Sequence, residues 1–378
     1  MKRFFVCLLA LCMLLSGCSL FDSSKYAVTP HLNQSVETQK EVISVQNYSQ
    51  LRSELVKLVH EGVESSVINV PDYNSEQLVR DLGTAIAYVR NQDAIGAYAV
   101  EDISYEVGTN GFVAAVALKI AYVHGREELL RIQNVRDMEE ALKKVGAALQ
   151  RCEAGIVMLV DQYEEMDLIQ MVEDYTAANP DTVMELPTVT LEIYPGKGIR
   201  RVVNMKFTYQ NSRNDLRQMQ TLVSQIFDAA GLYVTGSGSD HQKLSQLYAF
   251  LMERFTEYQI KTSITPSYSL LLHGVGDSRA VATVYGKMCS LSGLECQTVT
   301  GTRNGEPWSW NIVRDGELYY HVDLLRCSEK GAFKMRTDAQ MEEYVWDYSA
   351  YPVCNEKTAA ENADLGTKME KTEPFIGE

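Results

Sequence analysis

Val116-Ala-Leu-Lys-Ile-Ala-Tyr-Val-His-Gly-Arg-Glu-Glu-Leu129 recurs 87 residues later as Val203-Asn-Met-Lys-Phe-Thr-Tyr-Gln-Asn-Ser-Arg-Asn-Asp-Leu216, with valine, lysine, tyrosine, arginine and leucine in register. Upstream, Val67-Ile-Asn-Val-Pro-Asp-Tyr73 is answered by Val157-Met-Leu-Val-Asp-Gln-Tyr163 at an offset of 90. Self-similarity at a fixed spacing marks a duplicated structural unit. Apolar residues alternate at Val116, Leu118 and Ile120 and again at Val203, Met205 and Phe207, the period of a strand with one buried face. Leu51, Leu55, Leu58 and Val59, like Leu168, Met171, Val172 and Tyr175, recur every three or four positions, as on one face of a helix. The spacing therefore predicts two copies of a helix, strand, helix, strand, strand unit over residues 46–134 and 135–234. The matched pairs Lys119/Lys206 and Arg126/Arg213 are explained by the geometry of a repeat, which keeps its edge and turn residues.

A long amphipathic segment over residues 212–230 closes the second copy, and Thr235-Gly-Ser-Gly-Ser239 marks a boundary. The following region, residues 240–355, carries the chemistry-bearing patterns. Gly274-Val-Gly-Asp-Ser278 is a glycine-rich turn that opens a helix with Val281, Val284, Tyr285, Met288 and Cys289 on one face, and Asp277 or Ser278 is its expected cap. A strand follows around residues 296–299. Then Trp308-Ser-Trp-Asn-Ile-Val-Arg314 and Glu317-Leu-Tyr-Tyr-His-Val-Asp323 flank Asp315-Gly316, a strong hairpin signal. With Asp315-Gly316 as a two-residue loop, Trp310 falls opposite His321 and Trp308 opposite Asp323.

These motifs resemble the transglutaminase-like domain, a relative of the papain-type cysteine proteases, whose pattern runs Gly-Val-Cys-x-Gly-Tyr-Ala, His-Ala-Trp-Asn and Tyr-x-Val-Asp. The resemblance covers residues 240–355. It places Gly276 at the cysteine position, Trp308 at the histidine position and Asp323 at the acid, so only the acid of the implied triad survives. Glycine has no thiol to form a thioester, and an indole donates one hydrogen bond but accepts no proton. The resemblance thus implies the fold without its reaction, a pseudoenzyme needing neither cofactor nor metal. Cys289 cannot substitute, because thirteen residues of helix place it roughly 20 Å from Gly276. An alternative hydrolase or acyltransferase site would use Ser278, His321 and Asp323, with His321 and Asp323 sharing one strand face. His273, Asp277 and Trp310 are the expected lining of a binding cleft.

The fold class read from the whole is α+β: two duplicated units followed by a transglutaminase-like α+β domain. The address comes from the first residues, where Lys2 and Arg3 precede an apolar run over residues 4–15 and then Leu15-Ser16-Gly17-Cys18. This is a secretion signal over residues 1–17, too short to span a membrane, ending in a sequence that resembles the bacterial lipobox. Cys18 is the expected lipidation site, residues 18–45 a tether from the extracytoplasmic face of the membrane, and residues 356–378 a frayed acidic tail. The formal charge is −15, and −17 once Lys2 and Arg3 leave with the signal, which disfavours nucleic acid. Five cysteines remain beyond Cys18, an odd count that is no disulfide framework, with Cys327–Cys354 the most plausible single bridge. The expected partners are the membrane, through Cys18, and a peptide, cell-wall fragment or envelope protein. A purely structural role, with the repeats mediating envelope assembly, is the third reading.

Overall fold

The computed structural model describes residues 43–234, 236–259 and 263–355. The signal sequence, Cys18, all but the end of the tether and the acidic tail lie outside the described residues. No helix among the described residues is long and apolar enough to cross a membrane.

The first copy begins with helix α1 (Tyr48–His60), strand β1 (Ser65–Asn69) and helix α2 (Ser75–Asn91). A short helix α3 (Ala94–Ala99) that the periodicity does not announce comes next, then β2 (Val100–Asn110) and β3 (Val113–Tyr122). After the single turn α4 (Arg126–Leu129), the second copy runs β4 (Gln133–Asp137), α5 (Met138–Gln150), β5 (Gly155–Gln162), α6 (Leu168–Ala178), β6 (Thr188–Tyr194) and β7 (Arg201–Thr208). The sheet orders are β1-β3-β2 and β4-β5-β7-β6, so β3 lies between β1 and β2 as β7 lies between β5 and β6, with β4 added at the edge of the second sheet. Their registers agree as well: Ser65 faces Lys119 and Gly155 faces Lys206.

The duplication reaches into the caps. Asn47 accepts from Gln50 N at 3.0 Å, and Asp137, ninety residues on, accepts from Glu140 N at 2.9 Å. Each first helix then ends in a left-handed residue, Gly62 at φ +67° and Cys152 at φ +50°. Glycine adopts that conformation without steric cost and cysteine does not, so the repeat's geometry dictates the backbone at Cys152. Val116, Leu118 and Ile120 are buried in one copy and Val203, Met205 and Phe207 in the other, while Lys119 and Lys206 are exposed. A one-residue slip would turn three such side chains outward, at a cost of about 5–9 kcal/mol for roughly 1.5–3 each, which pins the register.

The described residues from Val45 onward form one compact unit. The period of helix α7 (Arg213–Tyr233) places it with the second copy, but Leu216, Val223 and Phe227 share a core with Leu244, Leu247, Leu270 and Tyr285 from the C-terminal region. The Gly-Ser segment is therefore a turn between packed helices and does not separate two cores. Helix α8 (Asp240–Met252), helix α9 (Pro266–His273) and helix α10 (Ser278–Leu291) follow. They pack on an antiparallel sheet of β10 (Cys296–Arg303), β11 (Glu306–Asp315), β12 (Leu318–Val322) and β13 (Tyr344–Val345), in the order β12-β11-β10-β13. The α+β class expected from the sequence is the class observed.

Candidate functional site

Helix α9 ends at Gly274, whose φ of +71° and proximity to the Arg254 carbonyl leave no space for a side chain. The chain then makes a two-residue strand, β9 (Val275–Gly276), parallel to β8 (Glu257–Tyr258). Asp277 caps α10 by accepting from Ala280 N at 2.8 Å. Strand β11 is fastened across this helix start by two polar ties. Ser309 N donates to Ser278 Oγ at 3.2 Å, and Asn311 Nδ2 donates to the Ala282 carbonyl at 2.9 Å.

This geometry corrects the expected placement of the nucleophile position. A Cβ on Gly276 would meet Leu270 Cδ1 at 3.3 Å and Ala280 Cβ at 3.4 Å, so a side chain there would enter the packing between α9 and α10. Ser278, first residue of α10 and buried, is the one whose side chain touches the strand carrying Trp308. The motif places the cysteine position at Gly276, and the direction of the Cα–Cβ bond there turns a side chain away from the hairpin.

The hairpin register also differs. Gly316 and Glu317 form the turn, with Asp315 facing Leu318 and Ile312 facing His321. Gly316 has φ +63° and Glu317 does not share it, the pattern of a turn with glycine first, whereas Asp315-Gly316 would have needed a positive φ at aspartate. The shift moves both flanks by one residue, so the faces are kept and the contacts become diagonal. Trp308 Nε1 still donates to Asp323 Oδ2, at 2.8 Å.

Asp323 is almost fully buried and heavily bonded. Tyr344 Oη donates to Oδ2 at 2.6 Å, Arg326 N donates to Oδ1 at 3.1 Å, and the Arg303 guanidinium lies 3.9 Å away. Burial, with the Asp323 carboxylate beside it, pushes the Tyr344 phenol well above the usual tyrosine range. Trp308 therefore meets Asp323 through its single N–H, and an indole has no second nitrogen to accept a proton. Its other contacts are the Tyr258 ring, 5.5 Å between centroids, and Arg303, 5.2 Å above the indole. Together with Phe255, Glu306 and Glu329 these residues line a groove of about 560 Å³.

The expected cleft residues lie elsewhere. Trp310 is buried against Tyr344 and Trp346, His273 is exposed and stacks edge-on with Tyr268, and Asp277 is a buried helix cap. None of the three lines the groove. The alternative triad is not assembled either. His321 Nδ1 accepts from Trp310 Nε1 at 2.9 Å and its Nε2 bonds Asp338 Oδ1 at 2.7 Å. Because an indole can only donate, the imidazole proton must sit on Nε2, and both nitrogens are committed away from Ser278 and Asp323. His321, Asp338 and Cys354 bring metal-type donor atoms within 4.8 Å of one another. That same Nε2 proton, given to Asp338, would have to leave before an ion could be held, and burial keeps the Cys354 thiol protonated by raising it well above its ordinary range.

Sequence reasoning missed Tyr258, Arg303 and Tyr344. For Arg303 a signal existed: Asn304-Gly305, with φ of +53° and +82°, is a tight hairpin turn that sets Arg303 against Glu306 and Gly301 against Trp308. Tyr344 reaches Asp323 from a two-residue strand that no periodicity reveals.

No family model matches the chain, and no curated relative matches it. Among solved structures it is similar to a TGase at 10% identity and TM-score 0.25, covering 47% of this chain and 56% of the other. A candidate cysteine protease from Cytophaga hutchinsonii gives 10% identity, TM-score 0.25 and coverage of 39% and 65%. A candidate protease from Parabacteroides distasonis gives 8% identity, TM-score 0.22 and coverage of 68% and 39%. The chain thus spans less than two thirds of the length of these neighbours, and likeness at this level is too slight to fix a common activity.

Proposed function

We propose that this chain is a lipid-anchored, extracytoplasmic binding protein whose transglutaminase-like domain has lost its reaction. The observation that carries the reading is the 2.8 Å bond from Trp308 Nε1 to Asp323, which fills the place of the catalytic base with a group that cannot take a proton. Ser278, at the start of α10, has a hydroxyl and no base among its hydrogen-bond partners. An unactivated hydroxyl is a weak nucleophile near neutral pH. The groove over Trp308 suits a ligand with flat apolar faces and polar edges, since aromatic walls alternate with Arg303, Glu306 and Glu329. A peptide, a cell-wall fragment or an envelope protein answers to that description. Attachment through Cys18 would place the groove outside the cytoplasm, and the support for it is the sequence Leu15-Ser16-Gly17-Cys18.

The test pairs two measurements on the purified chain. Amide and ester hydrolysis should be absent, and unchanged by Ser278→Ala. Co-sedimentation with cell-wall material or capture of envelope peptides should be weakened at least tenfold by Tyr258→Ala. Turnover that disappears in Ser278→Ala would overturn the pseudoenzyme reading, and binding indifferent to Tyr258 would remove the groove from it.

A further inference from the structure

We propose that Cys289 and Cys296 form a redox-modification site, closing to a disulfide when the chain meets an oxidising thiol–disulfide environment, as the proposed export would supply. All five cysteines among the described residues are free thiols. The sequence favours Cys327 with Cys354 as a single bridge, and the fold discriminates differently. Cys327 Sγ is taken up by the backbone of Lys334, at 3.3 and 3.4 Å, and Cys354 Sγ turns to the Pro352 carbonyl at 3.7 Å in a different core cluster. Cys152 is buried in its left-handed turn at the end of α5. Cys289, by contrast, has the Cys296 thiol beside it in one core cluster, the neighbour that after burial does most to push it up.

The chain path makes this pairing local and rigid. Helix α10 is closed just past its end by Gly293, φ +74°, and Leu294 N returns to the Cys289 carbonyl at 2.9 Å. That closure reverses the chain, so Cys296, first residue of β10, runs back beside the helix it has just left. Gly286, one turn before Cys289, leaves room for it: the Cys296 sulfur lies 3.9 Å from where a Cβ would stand. Cys289 is fully buried and Cys296 partly exposed, so their roles in oxidation are unequal.

The Cys296 thiolate attacks one sulfur of an external disulfide and expels its first thiolate, leaving a mixed disulfide. The Cys289 thiolate then attacks the Cys296 sulfur and expels the second. Two protein thiols lose two protons and two electrons, and the external disulfide gains them as two thiols. Burial holds Cys289 well above the ordinary thiol range, so the second displacement is the slow one and quickens with rising pH. The bond formed would clip the end of α10 to the start of β10, the strand whose other end pairs Gly301 with Trp308.

The experiment incubates the purified full chain with oxidised glutathione, then denatures, alkylates and digests it with trypsin. Both cysteines fall in the single tryptic peptide over residues 288–303. The expected result is that peptide without alkyl groups and two hydrogens lighter, with closure faster at pH 8.5 than at pH 7 and the effect abolished by Cys296→Ser and retained in Cys327→Ser. Two alkyl groups on the peptide would overturn the proposal. So would a lasting glutathione adduct on Cys296 with Cys289 alkylated, which would mean that Cys289 cannot reach it. Because the oxidant is supplied in the tube, closure is judged independently of where the chain resides, and membrane fractionation of Cys18→Ala bears on export separately.

Discussion

Replacing Ser278 by cysteine and Trp308 by histidine together should rebuild a thiol–imidazole pair on a scaffold that already holds the orienting acid. Asp323 keeps Tyr344 and Arg326 N as donors in the double variant, so it remains fixed to receive an imidazole N–H where it now receives the indole's. With cysteine at position 278 alone the thiol has no base, and its alkylation should follow a midpoint near the free value of about 8.5. Pairing with an imidazolium lowers thiol midpoints into the range of about 3.5–7.5, and a value near 6 raises the thiolate fraction at pH 5 about 300-fold. Part of that gain is lost because nucleophilicity falls with basicity, by about 13-fold over that interval, leaving a net acceleration of about 20-fold at pH 5. Iodoacetamide kinetics from pH 4 to 9 on Ser278→Cys and on the double variant would measure it. Identical profiles would refute the geometry. A control, Gly276→Cys with Trp308→His, should show no acceleration, since that side chain enters the α9–α10 packing, and a shift appearing there instead would restore position 276 as the nucleophile's seat.

Tyr344→Phe removes a 2.6 Å hydrogen bond to a buried carboxylate and should cost about 1.5–3 kcal/mol in urea unfolding, whereas exposed Tyr348→Phe should cost almost nothing. Alkaline stability should fall early, because the Tyr73, Tyr98 and Tyr122 phenols are pushed up to about 12, chiefly by burial and then by Asp81, Glu128 and Glu64 respectively. Unfolded tyrosines release their protons near pH 10, so the stability these three lend is whole below about pH 10 and is lost as pH rises towards 12; a melting temperature constant from pH 9 to 12 would contradict it. Cys18→Ala should move the chain from the membrane to the soluble fraction, and unchanged fractionation would remove the lipid anchor from the proposed function.

Period and offset were enough to read the duplication, because a half-buried sheet imposes the same alternation on both copies and Val116, Leu118 and Ile120 have no freedom to be polar. The helix after Gly274 was legible for the same reason, through Val281, Val284, Tyr285, Met288 and Cys289, all of them buried. The site was legible only as a set of names. Which of Gly276 and Ser278 faces the hairpin depends on a Cα–Cβ direction, and which of Asp315-Gly316 or Gly316-Glu317 makes the turn depends on one dihedral angle. His321 reads equally well as a base or a core residue until Trp310 and Asp338 are seen to occupy its two nitrogens. Tyr258, Arg303 and Tyr344 reach the groove and Asp323 from segments scattered along the chain, and sequence periodicity carries no information about such encounters.

The three tryptophans of the chain, Trp308, Trp310 and Trp346, all lie in the last sheet and its neighbouring loop, and the duplicated units contain none. Light at the red edge of protein absorption, where tyrosine is dark, is therefore emitted from the C-terminal region alone. Trp310 and Trp346 are enclosed, with the His321 ring 4.7 Å from Trp346 as a nearby quencher, while half-buried Trp308 looks into the groove. Emission from this chain should carry two separable signals: a blue, partly quenched component that brightens or reddens only when the last sheet opens, and a redder one that responds to whatever enters beside Tyr258. The duplicated half could unfold without either changing, so comparing that emission with far-ultraviolet dichroism would reveal whether the two halves melt together.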